Sequence, residues 1–180
     1  MKRAVFLDRD GVLNEAIVRE GRPYPPTSVE ELRIVPGAAL ALERLKQAGF
    51  ALIVVSNQPD VGRGTQTREA VNAINDIIRS ALPVDDFLIC FHDEKDNCDC
   101  RKPRPGLILD GAAKHGVHLD ASYMIGDRWR DIDAGAAAGC TTLLIDYGYR
   151  ERAPLTPPSY RVGSIDAAVD RIIELEKLSS

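Results

Sequence analysis

Short, nearly continuous apolar runs alternate along this chain with longer stretches in which apolar residues recur every three or four positions. Five runs read as strands: Ala4-Val5-Phe6-Leu7, Ala51-Leu52-Ile53-Val54-Val55, Asp86-Phe87-Leu88-Ile89-Cys90, Ser122-Tyr123-Met124-Ile125 and Thr141-Thr142-Leu143-Leu144-Ile145. Strands that are apolar throughout, rather than at alternate positions, are covered on both faces, as in a parallel sheet. Helical spacing predicts helices between them. One covers 38–48, with Leu40, Leu42 and Leu45 on or near one side and Gly49 as the stop. A second covers 67–82, through Val71, Ile74, Ile77 and Ile78. A third opens at Pro105-Gly106 and closes at Gly116; a fourth covers 130–138 and closes at Gly139. The last covers 164–178, with Ala168, Ile172, Leu175 and Leu178 along one face. Strands alternating with helices through short connections predict an α/β fold with a doubly wound parallel sheet. Two irregular stretches, 11–35 and 91–104, follow the first and third strands. Residues 147–160, with Pro154, Pro157 and Pro158, read as a surface loop before the last helix.

Length and composition narrow the class. The 180 residues suit a single domain over 1–180, and 44% hydrophobic with 28% charged residues is ordinary for a globular protein. Net charge is -4, and the basic residues are scattered rather than striped, which argues against nucleic acid as a partner. No apolar run approaches the roughly 20 residues that span a bilayer. The apolar N-terminal segment is cut short by Asp8, Arg9 and Asp10, far from the length of a secretory leader. The expectation is a cytoplasmic monomer acting on a small molecule.

In a sheet of this kind ligands gather at the carboxyl ends of the strands, and the chemistry-bearing residues lie there. Asp8-Arg9-Asp10-Gly11 follows the first strand. Two carboxylates two residues apart can divide the work, one attacking phosphorus and holding a cation, the other moving a proton; a polar turn explains the tetrapeptide equally well. Ser56-Asn57-Gln58 ends the second strand and could hold phosphate oxygens, or form an ordinary turn. Arg101-Lys102-Pro103 supplies cations that could neutralise a nucleophile and a phosphoryl group, or simply face solvent. Gly126-Asp127-Arg128-Trp129-Arg130-Asp131 ends the fourth strand. Asp127 there suits magnesium, with Asp131 one helical turn on to orient it, although acidic residues also cap helix starts.

The cysteines add a second chemistry. Cys90, Cys98 and Cys100 crowd into one loop with His92. Three sulfurs and an imidazole suit a closed tetrahedral zinc site that is structural rather than catalytic, tying loop 90–104 so that Arg101 and Lys102 point at the site. Cys140 stands apart and reads as a small buried apolar residue.

Taken in order, Asp8/Asp10, Ser56, Lys102 and Asp127/Asp131 at four successive strand ends resemble the four motifs of the haloacid dehalogenase superfamily, over residues 3 to about 146. The resemblance implies a Mg2+-dependent phosphatase without a large cap domain. Asp8 would be the nucleophile and Asp10 the acid and base, with Ser56 and Lys102 on the transferring oxygens. Mg2+ would sit between Asp8, the Asp10 backbone carbonyl and Asp127, with Asp131 behind. The cysteine loop followed by Arg101-Lys102-Pro103, and the run Asp8-Arg-Asp10-Gly-Val-Leu-Asn14, resemble the group that holds heptose bisphosphate phosphatases and histidinol-phosphate phosphatases. Arg63-Gly64 matches the heptose type after the second strand; Pro59-Asp60 departs from it, and the short cysteine loop is nearer the histidinol-phosphate type. Asn57, Gln58, Arg63, Arg101 and Arg128 are the expected substrate contacts. A sugar bisphosphate is the preferred substrate, because a second phosphate needs cations; histidinol phosphate or another sugar phosphate is the alternative. A catalytically silent binding protein, a phosphotransferase and a zinc-ribbon module are the competing classes, each disfavoured by the complete motif set in a chain too short for a water-excluding cap.

Overall fold

In a computed structural model the protein is described over residues 1–178. In chain order the strands and helices are β1 Arg3–Leu7, β2 Ile17–Arg19, β3 Arg22–Tyr24, α1 Ala38–Gln47, β4 Phe50–Asn57, α2 Pro59–Gly62, α3 Arg68–Ala81, β5 Asp86–Cys90, α4 Gly106–His115, β6 Tyr123–Gly126, α5 Trp129–Ala138, β7 Thr141–Ile145, β8 Tyr160–Val162 and α6 Ile165–Leu178. Six strands form one parallel sheet in the order β5-β4-β1-β6-β7-β8. The chain steps outward from β1 through β4 to β5, then returns to the other side of β1 for β6, β7 and β8. The strand order therefore reverses at β1, where the register pairs Leu7 with both Val54 and Ile125.

The side-chain period of two divides the core between the two faces. Val5, Leu7, Leu52, Val54, Ile125 and Leu143 pack against α1, α3 and α6 through Leu42, Leu45, Ile74, Ile78, Val169 and Ile172. Ala4, Phe6, Ile53, Val55 and Met124 pack against α4 and α5 through Leu107, Ile108, Ala112 and Ala134. With helices on both faces and the central strands buried, the doubly wound α/β sheet of the sequence reading is present.

Several details depart from that reading. The apolar stripe of α1 is Ala38, Ala41, Leu42 and Leu45, the spacing of a helix face, and Leu40 falls off it at 69% exposure. Ile77 and Leu178 are exposed for the same reason, while Ala168, Val169 and Ile172 carry the last helix onto the core. β4 runs two residues further than expected, so Ser56 and Asn57 lie within the strand. The stretch 11–35 holds an antiparallel hairpin, β2–β3, and 147–160 leads into an edge strand, β8. Three-residue strands leave too little alternation to read, and Pro23 in β3 mimics a breaker although an edge strand tolerates proline.

Candidate active site

The loop that carries Asp8 and Asp10 begins where β1 stops. The Asp8 amide still donates to Ile125 O at 3.0 Å, which carries the ladder one residue beyond the strand. Gly11 then turns the chain at φ +84°, and a side chain there would overlap the Asp127 carboxylate. The amides of Leu13 and Asn14 both return to Arg9 O. This tight turn brings Asp10 back over the strand ends.

Lys102 reaches the centre from the cysteine loop and is fully buried. Its Nζ donates to Asp8 Oδ1 at 2.8 Å, Asp131 Oδ1 at 2.7 Å and Val55 O at 2.7 Å, matching three donors to three acceptors. The Asn57 amide clamps the backbone of Lys102 from both sides, donating to its carbonyl at 2.9 Å and accepting from its N–H at 3.0 Å. Asn57 thus serves to aim the lysine as well as lining the cavity. Burial pushes the Asp8 carboxyl up to about 7, reinforced by Asp131 and opposed by Lys102. Burial, with Asp8 and Asp131 nearby, also raises Asp127 well above the usual carboxylate range, while the two carboxylates and their hydrogen bonds outweigh burial and hold the Lys102 ammonium high.

Asp10 is held by four donors. Arg9 Nε and Nη2 and Asn14 Nδ2 reach its Oδ1 at 3.2, 2.8 and 3.0 Å, and Gln58 Nε2 reaches Oδ2 at 2.8 Å. Gln58 also donates to Ser56 Oγ at 2.9 Å, which leaves the hydroxyl proton of Ser56 for another acceptor. Gln58 is buried and is thereby a bridge between Ser56 and Asp10. Arg9 was not among the residues expected to matter. It is completely buried, and its Nη1 donates to Asn75 Oδ1 of α3 at 3.0 Å.

Asp8, Asp127 and Asp131 bring carboxylate oxygens within 4.8 Å of one another, and Asp127 Oδ1 is buried with no hydrogen-bond partner among the described residues. Three converging carboxylates with an orphaned oxygen fit a hard divalent cation. The Asp131 side chain also accepts from the Arg128 amide at 3.0 Å, so its capping role and its place in the site coexist.

The second cluster lies beside the site. Cys90 Sγ is 3.7 Å from Cys98 Sγ and 3.2 Å from Cys100 Sγ, and His92 Nδ1 is 3.6 Å from Cys90 Sγ and 3.2 Å from Cys100 Sγ. Tetrahedral zinc with sulfur at about 2.3 Å has edges just under 4 Å, so the donors fit that metal. The metal-free thiols share protons unequally: burial raises Cys90 and Cys100, whereas hydrogen bonds led by Cys100 outweigh burial at Cys98 and bring it down to about 7. Gly62 of α2 abuts Phe91 and Asp93 closely enough to leave no room for a side chain, and Arg63 Nε donates to Asp93 Oδ1 at 2.9 Å. The cysteine loop is thereby docked against the end of β4.

Around these groups opens a cavity of about 690 Å³. Arg63, Arg101 and Arg128, all expected, line it together with Arg22, Arg130, Arg150 and Arg152. Arg128 is engaged by Glu151, and Arg63 by Asp60 and Asp93. Arg101 Nε is buried without a partner among the described residues. Burial, then the neighbouring Arg101 and Arg128 charges, lower the Arg130 guanidinium. The segment read as a surface loop forms one wall of this cavity, through Arg150, Glu151 and Arg152.

A buried carboxylate paired with lysine, a tethered second aspartate and an acidic cluster that fits a cation, all at parallel strand ends, fit a phosphohydrolase. A HAD-hydrolase-like family model matches residues 99–172. The chain is 36% identical over 154 residues to D-glycero-beta-D-manno-heptose-1,7-bisphosphate 7-phosphatase of Bordetella bronchiseptica, covering 81% of this chain and 82% of that protein. It is 33% identical to the Escherichia coli K12 protein of the same name, over 86% of this chain and 82% of that one. A crystal structure of D,D-heptose 1.7-bisphosphate phosphatase from B. bronchiseptica, complexed with magnesium and phosphate, superposes with a TM-score of 0.77 at 29% identity, covering 97% of this chain and 99% of that one. The chain belongs to the HAD-like phosphatases, the family of those relatives, and is a phosphoric monoester hydrolase.

Proposed function

We propose that the chain removes one phosphate from a sugar bisphosphate, with D-glycero-beta-D-manno-heptose 1,7-bisphosphate, cleaved at position 7, as the leading candidate. The observation that carries the chemistry is the buried Asp8–Lys102–Asp131 network beside a separately tethered Asp10. Lys102 holds Asp8 Oδ1, and Oδ2 attacks phosphorus, forming an aspartyl phosphate as the bond to the sugar oxygen breaks. Asp10 gives its proton to that oxygen. It then takes a proton from water, which attacks phosphorus and releases inorganic phosphate from Asp8. The Ser56 hydroxyl holds a transferring oxygen, and Lys102, its three protons engaged by Asp8, Asp131 and Val55 O, offsets the charge that builds on the phosphoryl group. Asp8, the Asp10 carbonyl and Asp127 would hold Mg2+, backed by Asp131, and the cation would screen the charge between nucleophile and phosphate.

The second phosphate is what the cavity's arginines favour. Arg101 and Arg130 converge although like charges repel, and an anion between them relieves the repulsion. Histidinol phosphate is the second reading, supported by Asp60 on the cavity wall and by the short cysteine loop. The cysteine cluster is read as a structural Zn2+ site, which fits a reducing, cytoplasmic setting, and the protein as one domain acting as a monomer.

Comparing kcat/KM across heptose and other sugar bisphosphates, sugar monophosphates and histidinol phosphate tests this. A sugar bisphosphate should lead by at least tenfold, and Asp8→Asn should remove turnover while the thermal midpoint survives. Preference for histidinol phosphate overturns the substrate; phosphate release by Asp8→Asn overturns the mechanism.

A further inference from the structure

The segment after β7 grips the site at two points. Tyr149 Oη donates to Asp127 Oδ2 at 2.9 Å, and Tyr147 Oη donates to Gly11 O at 3.0 Å. Their rings lie 5.6 Å apart, so one loop ties the strand end of β6 to the nucleophile turn. The segment is itself anchored. The Arg150 amide donates to Gly21 O at 2.8 Å, Glu151 accepts from Arg128 Nε at 3.1 Å, and Arg152 Nη2 donates to Asp133 Oδ2 at 3.2 Å while its guanidinium lies 3.4 Å over Trp129.

The two oxygens of Asp127 consequently differ. Oδ2 is held by the Tyr149 hydroxyl, whereas Oδ1 is buried without a partner among the described residues. Carboxylate torsions are broad, so the two oxygens of a carboxylate are interchangeable until a partner distinguishes them. A donor fixed on one oxygen breaks that degeneracy. The close approach of Gly11 to the same carboxylate leaves it little room to turn.

We propose that Tyr149 is a positioning residue of the cation site, holding Asp127 Oδ2 so that Oδ1 is presented to the metal. The inference rests on the reading of Asp8, Asp127 and Asp131 as the Mg2+ site. Tyr149 is not among the residues that line the cavity, and it acts through Asp127.

Tyr149→Phe keeps the ring and removes the donor. The test titrates MgCl2 into the purified full-length chain without substrate and follows the thermal midpoint to an apparent Kd. Groups that orient metal ligands typically contribute 10- to 100-fold in affinity. The variant should therefore bind Mg2+ about tenfold more weakly, with the Mg2+ concentration for half-maximal activity shifting in parallel. Its kcat at saturating Mg2+ should stay within about threefold of wild type. Its circular dichroism before Mg2+ is added should match wild type, which separates a misplaced ligand from a misfolded chain. A Kd within twofold of wild type overturns the inference while leaving the metal site standing. A wild-type chain whose midpoint ignores Mg2+ overturns the metal site and the inference with it.

Discussion

Arg9 sits between the two site aspartates in sequence, yet its side chain is fully buried where theirs keep some contact with the cavity. Its guanidinium satisfies Asp10 on one side and Asn75 of α3 on the other, so it couples Asp10, the proposed acid and base, to the helix layer. Replacing it with Met removes one partner of a buried pair, a change that costs roughly 3–5 kcal/mol when both members are sequestered. Asp10 remains partly exposed, which places the loss at the low end. Urea unfolding of Arg9→Met should show that loss, with kcat falling further than KM rises because Asp10 loses its orientation. Asp8 makes a prediction of opposite character. Burial raises its folded carboxyl from 3.8 to about 7, so the metal-free folded chain keeps a proton that the unfolded chain has shed. That contribution to stability is complete below about pH 4 and is lost as pH rises through about 7. The Mg2+-induced rise in thermal midpoint should therefore be larger at pH 8 than at pH 5, where the cation must displace protons. Midpoints at both pH values, with and without Mg2+, check this, and Asp8→Asn should narrow the difference while Asp127, itself raised by burial, keeps part of it. At this scale Asp8, Lys102 and Asp127 were legible only together: each alone reads as well as a turn, a solvent-facing cation or a helix cap, and it is their order along successive strands that singles them out. Arg9 was not, since an arginine in a loop ordinarily faces solvent; nor was Tyr149, whose target lies 22 positions away.

Among the elements, the long regular ones were read correctly and the short ones were missed, for a physical reason. Four of the five long strands, β1, β4, β6 and β7, are buried on both faces and announce themselves by composition, and β5 at the sheet edge carries a similar apolar run although it is only half-buried. The hairpin β2–β3 and the edge strand β8 owe their pairing to what they lie against, and three residues cannot show it. The cysteine loop is the exception: it is irregular, yet its four donors made its organisation readable. Its contribution to the site is indirect, since the segment from Cys90 to Cys100 leads straight into Lys102, whose backbone Asn57 holds. The proposed Zn2+ site predicts about one zinc per chain by elemental analysis, and Cys98→Ser should lower that content. Because the loop carries Lys102 into the site, kcat should fall at least tenfold even with Mg2+ saturating. Full activity in a zinc-free variant would show that the docking of Gly62 and Arg63 against Phe91 and Asp93 suffices by itself.

The whole molecule carries a net charge of -4, yet the cavity around its acidic centre is ringed by arginines. A reading of total charge hides this separation, which exists only once residues from the hairpin, the cysteine loop, α5 and the segment after β7 converge. Low-dielectric walls focus the field of such a ring and raise the encounter rate of an anion. The effect scales with the charge of the ligand and is screened with a Debye length of about 10 Å at 0.1 M salt. A sugar bisphosphate carries twice the phosphate charge of a monophosphate and should feel that ring more strongly. Raising ionic strength from about 0.02 M to 0.3 M at fixed Mg2+ activity should then reduce kcat/KM severalfold for the bisphosphate and much less for the matching monophosphate, with kcat nearly constant for both. Arg130→Ala should shrink the difference between the two substrates, because Arg130 lines the cavity beside Arg101, whereas Arg79 on α3 is paired with Asp76 outside it and serves as the control. Equal salt slopes for the two substrates would mean that the arginines are not there to receive a second phosphate, and would turn attention to the acidic wall at Asp60 and a substrate carrying positive charge.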